Sequence, residues 1–153
     1  MTKVVIGADH RGYNLKEKMK EFLLNRNYEV IDVGTHSTVM VDYPDIASDL
    51  VKPIISGKCE KGILICGSGV GASMAASKLP GIRGAVCHDS YSAHQGVEHD
   101  DMNVLCLGER VIGEELAKEI ALIFLRARFS GAERHTRRLE KIRQIERDFA
   151  KSL

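Results

Sequence analysis

Five short apolar runs punctuate the chain: Val4–Ile6, Val30–Val33, Ile63–Cys66, Ala85–Cys87 and Val104–Leu107. Each is followed by a polar or glycine-bearing loop and then by residues at helical spacing. The runs are continuously apolar rather than alternating, which marks strands covered on both faces, as in a parallel sheet. Between the first two, Leu15, Met19, Phe22 and Leu23 follow the i, i+4, i+7, i+8 stripe of an amphipathic helix. Leu116, Ile120, Ile123 and Phe124 repeat that stripe after the fifth run. Residues 44–56, 70–79 and 90–99 also read as helices, and Leu139, Ile142, Ile145 and Phe149 mark a last helix with no strand after it. Strands alternating with helices in one short chain predict a doubly wound α/β sandwich. The last helix either packs on that domain or reaches across to a second subunit. No repeat, low-complexity tract or linker divides residues 1–153, which read as a single domain.

Composition narrows the function more than the fold. A hydrophobic content of 44% with 28% charged residues is ordinary for a soluble globular chain. The formal net charge of +1 gives no global reason to expect nucleic acid or a membrane surface. No apolar stretch approaches the roughly 20 residues of a membrane span. The amino terminus, MTKVVIGAD, runs from a short apolar stretch into a loop, so no secretory signal is expected. Cys59, Cys66, Cys87 and Cys106 lack CxxC spacing. Neither a disulfide framework nor a zinc site is expected, and a reducing cytoplasm is the natural home. Charge is uneven in one place only, with eight basic residues against three acidic ones from Arg126 to Arg147. That segment reads as a nucleic-acid tail, a solvated helix face or an anion site.

Ligands of open parallel sheets bind beyond the carboxyl ends of the strands. Two of those ends stand out here. GADHRG puts Asp9 and His10 directly after the first strand. ICGSGVGAS puts a thiol, Cys66, at the last position of the third, with Gly67, Gly69 and Gly71 behind it. Glycines let the backbone approach a ligand closely. A helix starting near Val70 adds unsatisfied N–H groups and its positive end, which suit an anion such as phosphate or an enediolate oxygen. A thiol beside such N–H dipoles is favoured as thiolate and becomes a plausible general base.

Other readings of this loop compete. Gly67-x-Gly69-x-x-Ala72 fits a dinucleotide fingerprint, with Asp89 about 20 residues on as a ribose-binding acid. That motif normally opens the fold, whereas this one follows the third strand. A Walker loop lacks its Lys-Ser or Lys-Thr pair, and a cysteine-phosphatase loop lacks its closing arginine. An ordinary buried thiol in a tight strand–helix turn stays open. His99 falls at the carboxyl end of its helix, which runs antiparallel to the strands and ends at the sheet's far edge. It is therefore either a surface histidine or a residue of a partner's site.

Taken in order, GADHRGYNLK, DVGT, VDYPDIA, GILICGSGVGASMAASKLPGIRGAVC, YSA, EHDDMNVLCLGERVIG and RHTRRLEKI resemble the ribose-5-phosphate isomerase type B family, whose relatives include galactose-6-phosphate isomerase subunits. The resemblance runs from about residue 3 to residue 147. It implies a Rossmann-like three-layer sandwich with a five-stranded parallel sheet and an extra C-terminal helix. It also implies a homodimer or homotetramer with shared active sites, and no metal or organic cofactor. By motif, Cys66 shuttles a proton between C1 and C2, Ser68 supplies the family's Thr or Ser hydroxyl, and His99 opens the sugar ring. Asp9, His10 and Tyr43 would contact sugar or phosphate. Arg110, Arg134 and Arg138 match phosphate-binding arginines, and His135 matches a neighbouring site residue. Arg134 and Arg138 are four apart and share a helix face, which suits a grip on a dianion.

Two departures stand out. Asp100 occupies a position where the ribose-5-phosphate enzymes commonly have Asn, replacing a donor and acceptor by an acceptor alone. Beside an anionic intermediate this requires an offsetting hydroxyl or cation, and it points to a substrate of different length or stereochemistry. Ser130-Gly131-Ala132-Glu133-Arg134 replaces a common glycine pair before the arginine. The expected activity is aldose–ketose isomerisation of a small sugar phosphate. The rival is a phosphate- or nucleotide-binding module that keeps the fold without turnover.

Overall fold

The computed structural model describes residues 1–152. Five strands, β1 (Lys3–Ala8), β2 (Glu29–Asp32), β3 (Lys61–Cys66), β4 (Gly84–Val86) and β5 (Val104–Gly108), form one parallel sheet in the order β2-β1-β3-β5-β4. The helices are α1 (Tyr13–Leu24), α2 (Tyr43–Ile55), α3 (Val70–Ser77), α4 (Ser90–Asp100), α5 (Glu114–Arg126) and α6 (Glu133–Ser152). The expected three-layer α/β sandwich is thus the observed fold. Continuous apolar runs end up where they must, since β3 and β5 lie inside the sheet and are buried along almost their whole length.

Successive strand residues feed opposite layers. Val4, Ile6, Ile63, Ile65, Leu105 and Leu107 meet α1, α4 and α5 on one side. Val5, Leu64, Cys66, Val104 and Cys106 meet α2 and α3 on the other. Two strands are shifted by one residue from the pattern-based reading. β2 starts at Glu29 rather than Val30, and β4 is only Gly84–Val86, leaving Cys87 beyond its end. Both are edge strands, where half-burial weakens the apolar signal.

Two helical stripes also differ. In α5 the core face is Ala117, Ile120, Ala121 and Phe124, while Leu116 is 41% exposed. Close helix–sheet packing selects the alanines there over the larger leucine. In α6 only His135 and Leu139 are buried. The helix packs on α4 by its first turns and meets the loop before β4 through Glu146, which accepts the Gly81 N–H at 3.1 Å, while Ile142, Ile145 and Phe149 stay largely exposed.

Lys16 breaks the apolar pattern of α1. Its side chain is fully buried, and Nζ donates to both carboxylate oxygens of Asp32 at 2.9 and 2.8 Å. Asp32 also accepts from the backbone N–H of Gly34, at 2.9 Å, and from Lys20. Burial pushes this carboxyl up, but the bonds from Lys16, Gly34 and Lys20 outweigh it and hold Asp32 below its ordinary value. The pair locks α1 to β2 beneath the loops that follow β1 and β2. Asp32→Ala leaves the buried Lys16 ammonium with only the part-exposed Glu17 carboxylate, 3.0 Å away, and should lower the unfolding free energy by about 3 kcal/mol. The measurement is a denaturant midpoint at unchanged m value. In the parent protein the contribution of Asp32 is complete above the ordinary carboxyl range and is lost as the pH falls through its depressed pKa.

Candidate active site

The sheet changes direction of travel between β1 and β3, because the chain steps from β1 outward to β2 and then returns to the other side. At the carboxyl ends of these strands a cleft of about 740 Å³ opens, the place where such sheets bind ligands. Its walls include Asp9, His10, Tyr43, Cys66, Ser68 and Arg110. Gly67 and Gly71 line it as well.

Cys66 ends β3 with only 5% of its surface exposed. Gly69 turns the chain into α3 with φ +82°, a backbone region that side-chain-bearing residues rarely adopt. That turn brings the Gly69 N–H to 3.1 Å from Cys66 Sγ, to which it donates. The Val70 N–H donates to Ser68 Oγ at 3.1 Å. Two N–H groups expected to face a ligand are therefore engaged by the loop's own thiol and hydroxyl. Gly71 serves by its lack of a side chain, since a Cβ there would lie 2.7 Å from Cζ of Tyr43. The phenol ring that opens α2 packs directly on the glycine loop.

The loop after β1 is equally fixed. Asp9 is buried, and its Oδ1 accepts the backbone N–H groups of Arg11 and Gly12 at 3.0 and 3.2 Å. His10 Nδ1 lies 3.2 Å from the Val41 carbonyl oxygen and 3.3 Å from its nitrogen, tying the imidazole to the segment before α2. Arg110 donates its backbone N–H to the Gly67 carbonyl at 3.1 Å and offers its side chain to the cleft.

Three further residues belong to this architecture. Arg11 lines the cleft beside Gly67. Glu109 accepts the Leu15 N–H at 2.6 Å, capping α1 from a position 94 residues away and joining the loop after β1 to the loop after β5. His88 Nε2 accepts the Gly108 N–H at 2.9 Å and so holds the end of β5 beside Cys66. Arg11 was visible inside GADHRG, and His88 stood at a strand end. Glu109 also stood just past a strand end, but its capping role was not legible because its partner is 94 residues away.

The remaining expected residues gather elsewhere. His99 and His135 stack with ring centroids 4.1 Å apart and an interplanar angle of 26°. Gln95 Nε2 lies 2.9 Å from His99 Nδ1, and Ser130 Oγ 2.6 Å from His135 Nδ1. Burial first, then His99, Arg134 and Arg138, hold the His135 imidazole below its ordinary pKa, while Asp100 opposes them. Arg137, Arg143 and Arg147 pair with Glu133 or Glu140. Among the described residues no carboxylate pairs with Arg134 or Arg138. Cys66 is in register with Gly108, whereas His99 precedes Val104 at the other end of β5. At about 3.3 Å per strand residue, roughly 13 Å of strand separates those two levels.

A sequence profile described as ribose/galactose isomerase matches residues 4–142. The chain belongs to that family. Ribose-5-phosphate isomerase B of Escherichia coli is 47% identical to it over 146 residues, covering 95% of this chain and 97% of the relative. D-erythrulose-4-phosphate isomerase of Pectobacterium atrosepticum is 42% identical over 132 residues, covering 86% and 87%. The solved ribose-5-phosphate isomerase B of Clostridium thermocellum superposes with a TM-score of 0.94 at 51% identity, covering 97% of this chain and 99% of that one. By family, then, the protein is an aldose–ketose isomerase, and among the described residues no helix is long and apolar enough to cross a membrane.

In this isomerase the His88 contact carries a pH signature. Burial holds the His88 pKa below 6.5, against the opposing charge of Asp89. Its acceptor role toward Gly108 requires the neutral ring. The contribution of His88 to stability is therefore complete above about pH 6.5 and is lost as the pH falls through the depressed value. Denaturation midpoints measured from neutrality downward should show this decline, and His88→Gln should flatten it.

Proposed function

We propose that this isomerase interconverts an aldose phosphate and a ketose phosphate, with ribose 5-phosphate and ribulose 5-phosphate as the leading pair, using Cys66 as the base. The carrying observation is the Cys66 thiol at the end of β3, held by the Gly69 N–H and opening on a cleft with Asp9, His10 and Arg110. The Cys66 thiolate takes the proton from C2 of the open-chain aldose. The C–H electrons form the C1–C2 double bond, and the carbonyl electrons move to the C1 oxygen, giving a cis-enediolate. The proton on the C2 oxygen passes to the C1 oxygen, and return of the carbon-bound proton from Cys66 to C1 then leaves a carbonyl at C2 and a hydroxyl at C1. Ser68 and the remaining loop N–H groups stabilise the enediolate oxygens. This scheme uses no metal or organic cofactor, and four free cysteines suit a reducing compartment such as the cytoplasm.

His99 opens the furanose of a cyclic substrate, and it does so in a partner's cleft. The separation of His99 from Cys66 along β5 supports this sharing, as does the unpaired apolar stripe of α6. Arg134 and Arg138 hold the phosphate with Arg110, Tyr43 and His10 line the sugar, and His135 and Asp100 flank the relay. The arrangement is a homodimer, whether or not dimers pair further. A four-carbon substrate is the second reading, favoured by the D-erythrulose-4-phosphate isomerase relative and by Asp100.

A panel of four-, five- and six-carbon sugar phosphates, assayed with excess EDTA, tests the reading. Turnover should be greatest on one of them and insensitive to the chelator. Cys66→Ala should abolish isomerisation of every member while the melting curve stays that of the parent. His99→Asn should cost about a hundredfold on a cyclic substrate and far less on an open-chain one. Equal losses on both would remove the ring-opening role. Mixing equal amounts of Cys66→Ala and His99→Asn chains should regain about a quarter of parental turnover on a cyclic substrate if sites are shared in a two-fold dimer.

A further inference from the structure

We propose that Arg11 is a phosphate-binding residue, supplied by the same protomer as Cys66. The proposal rests on reading the cleft as the isomerase site. Its first support is placement. A Cβ at Gly67 would lie 3.2 Å from Arg11 Cδ and 3.9 Å from Nη1, so the aliphatic stem of Arg11 lies over the residue that follows the base. Arg110 donates its backbone N–H to the carbonyl of that same Gly67. The two arginines flank one point of the glycine loop, and both line the cleft.

The second support is charge. The cleft wall carries the carboxylates of Asp9, Asp42 and Asp45 against the guanidiniums of Arg11 and Arg110. Among the described residues, neither arginine forms an ion pair with a carboxylate. A sugar phosphate brings two further negative charges toward a wall that already holds three. In the proposed arrangement Arg110, with Arg134 and Arg138 of a second copy, supplies part of the balancing charge, and the unpaired Arg11 fork beside Gly67 adds a further grip on phosphate through charge-assisted hydrogen bonds. The third support is the backbone, since the Arg11 N–H is held on Asp9 Oδ1 at 3.0 Å while its exposed side chain passes beside Gly67 at the cleft wall. Gly67 itself gains a role, because a side chain there would displace the Arg11 stem.

The test compares the parent with Arg11→Met, which keeps a stem over Gly67 and loses the charge, and with Arg11→Lys, which keeps the charge and loses the fork. The readouts are KM and kcat for the preferred sugar phosphate, and inhibition constants for inorganic phosphate and for a sugar-alcohol phosphate of the same length. Arg11→Met should raise KM and both inhibition constants about tenfold, leave kcat within about threefold, and be partly rescued by lysine. An inhibition constant for inorganic phosphate equal to that of the parent in both variants would overturn the assignment and make Arg11 a solvated surface residue. Should the parent turn over no sugar phosphate, the reading of the site fails. Calorimetric binding of inorganic phosphate to the parent and to Arg11→Met then still decides the role of Arg11.

Discussion

Parallel strands put every strand's carboxyl end on one side of a sheet, and every returning helix ends on the other. Cys66 ends a strand and His99 sits at the end of a helix, so the chain's two strongest proton-transfer candidates are forced apart. No loop rearrangement brings them together, because the intervening β5 is buried along its whole length. The residues around each follow the same division. Asp9, His10, Tyr43 and Arg110 collect with the thiol, and Arg134, His135 and Arg138 collect with the imidazole. In the proposed arrangement two apposed copies complete the site, and α6 leaves Ile142, Ile145 and Phe149 exposed.

Within the cleft, precision comes from backbone groups rather than from networks of side chains. Gly69 holds the sulfur, Arg110 holds Gly67, and His88 holds Gly108 on the neighbouring strand. Glu109 then ties the loop after β5 to the start of α1, whose preceding loop carries Asp9 and His10. Side chains on rigid strand ends, supported by such contacts, keep the geometry that proton transfer demands. The buried pair of Lys16 and Asp32 extends the same support to the second loop through the Gly34 N–H.

Much of this was legible in the chain because burial on both faces leaves a strong signal. The apolar runs marked all five strands: those of β1, β3 and β5 lie inside observed strands that extend one or two residues further, and those of the edge strands are shifted by one residue, where burial is partial. Cys66 and its glycines were legible because a thiol at a strand end followed by Gly-x-Gly-x-Gly has few structural uses. Lys16 was not, since a lysine next to an apolar stripe reads as solvated and its neutralising Asp32 sits on another element. Leu116 misled for a different reason. Hydrophobicity ranks leucine above alanine, but the interface between α5 and the sheet selects by size, and Ala117 and Ala121 fit. The stacking of His99 on His135 required the tertiary approach of α4 and α6, which no spacing encodes.

The departures from the common family pattern acquire physical partners in the structure. Ser130, in the segment that replaces the common glycine pair, puts its hydroxyl 2.6 Å from His135 Nδ1 and its backbone N–H on the Glu98 carbonyl. It fixes the ring that stacks on His99. Asp100 brings a negative charge into a neighbourhood where, among the described residues, Arg134 and Arg138 have no carboxylate partner, and its field on His135 opposes theirs. The cation that such a carboxylate needs is therefore present on the same surface. Arg11 adds a positive charge at the opposite half, beside Gly67. Both departures lie beside His99 and His135 rather than at Cys66, the base of the proposed scheme. In the proposed scheme, changes confined to charges and hydroxyls away from Cys66 alter the hold on the sugar phosphate and leave the proton transfer to the same thiol.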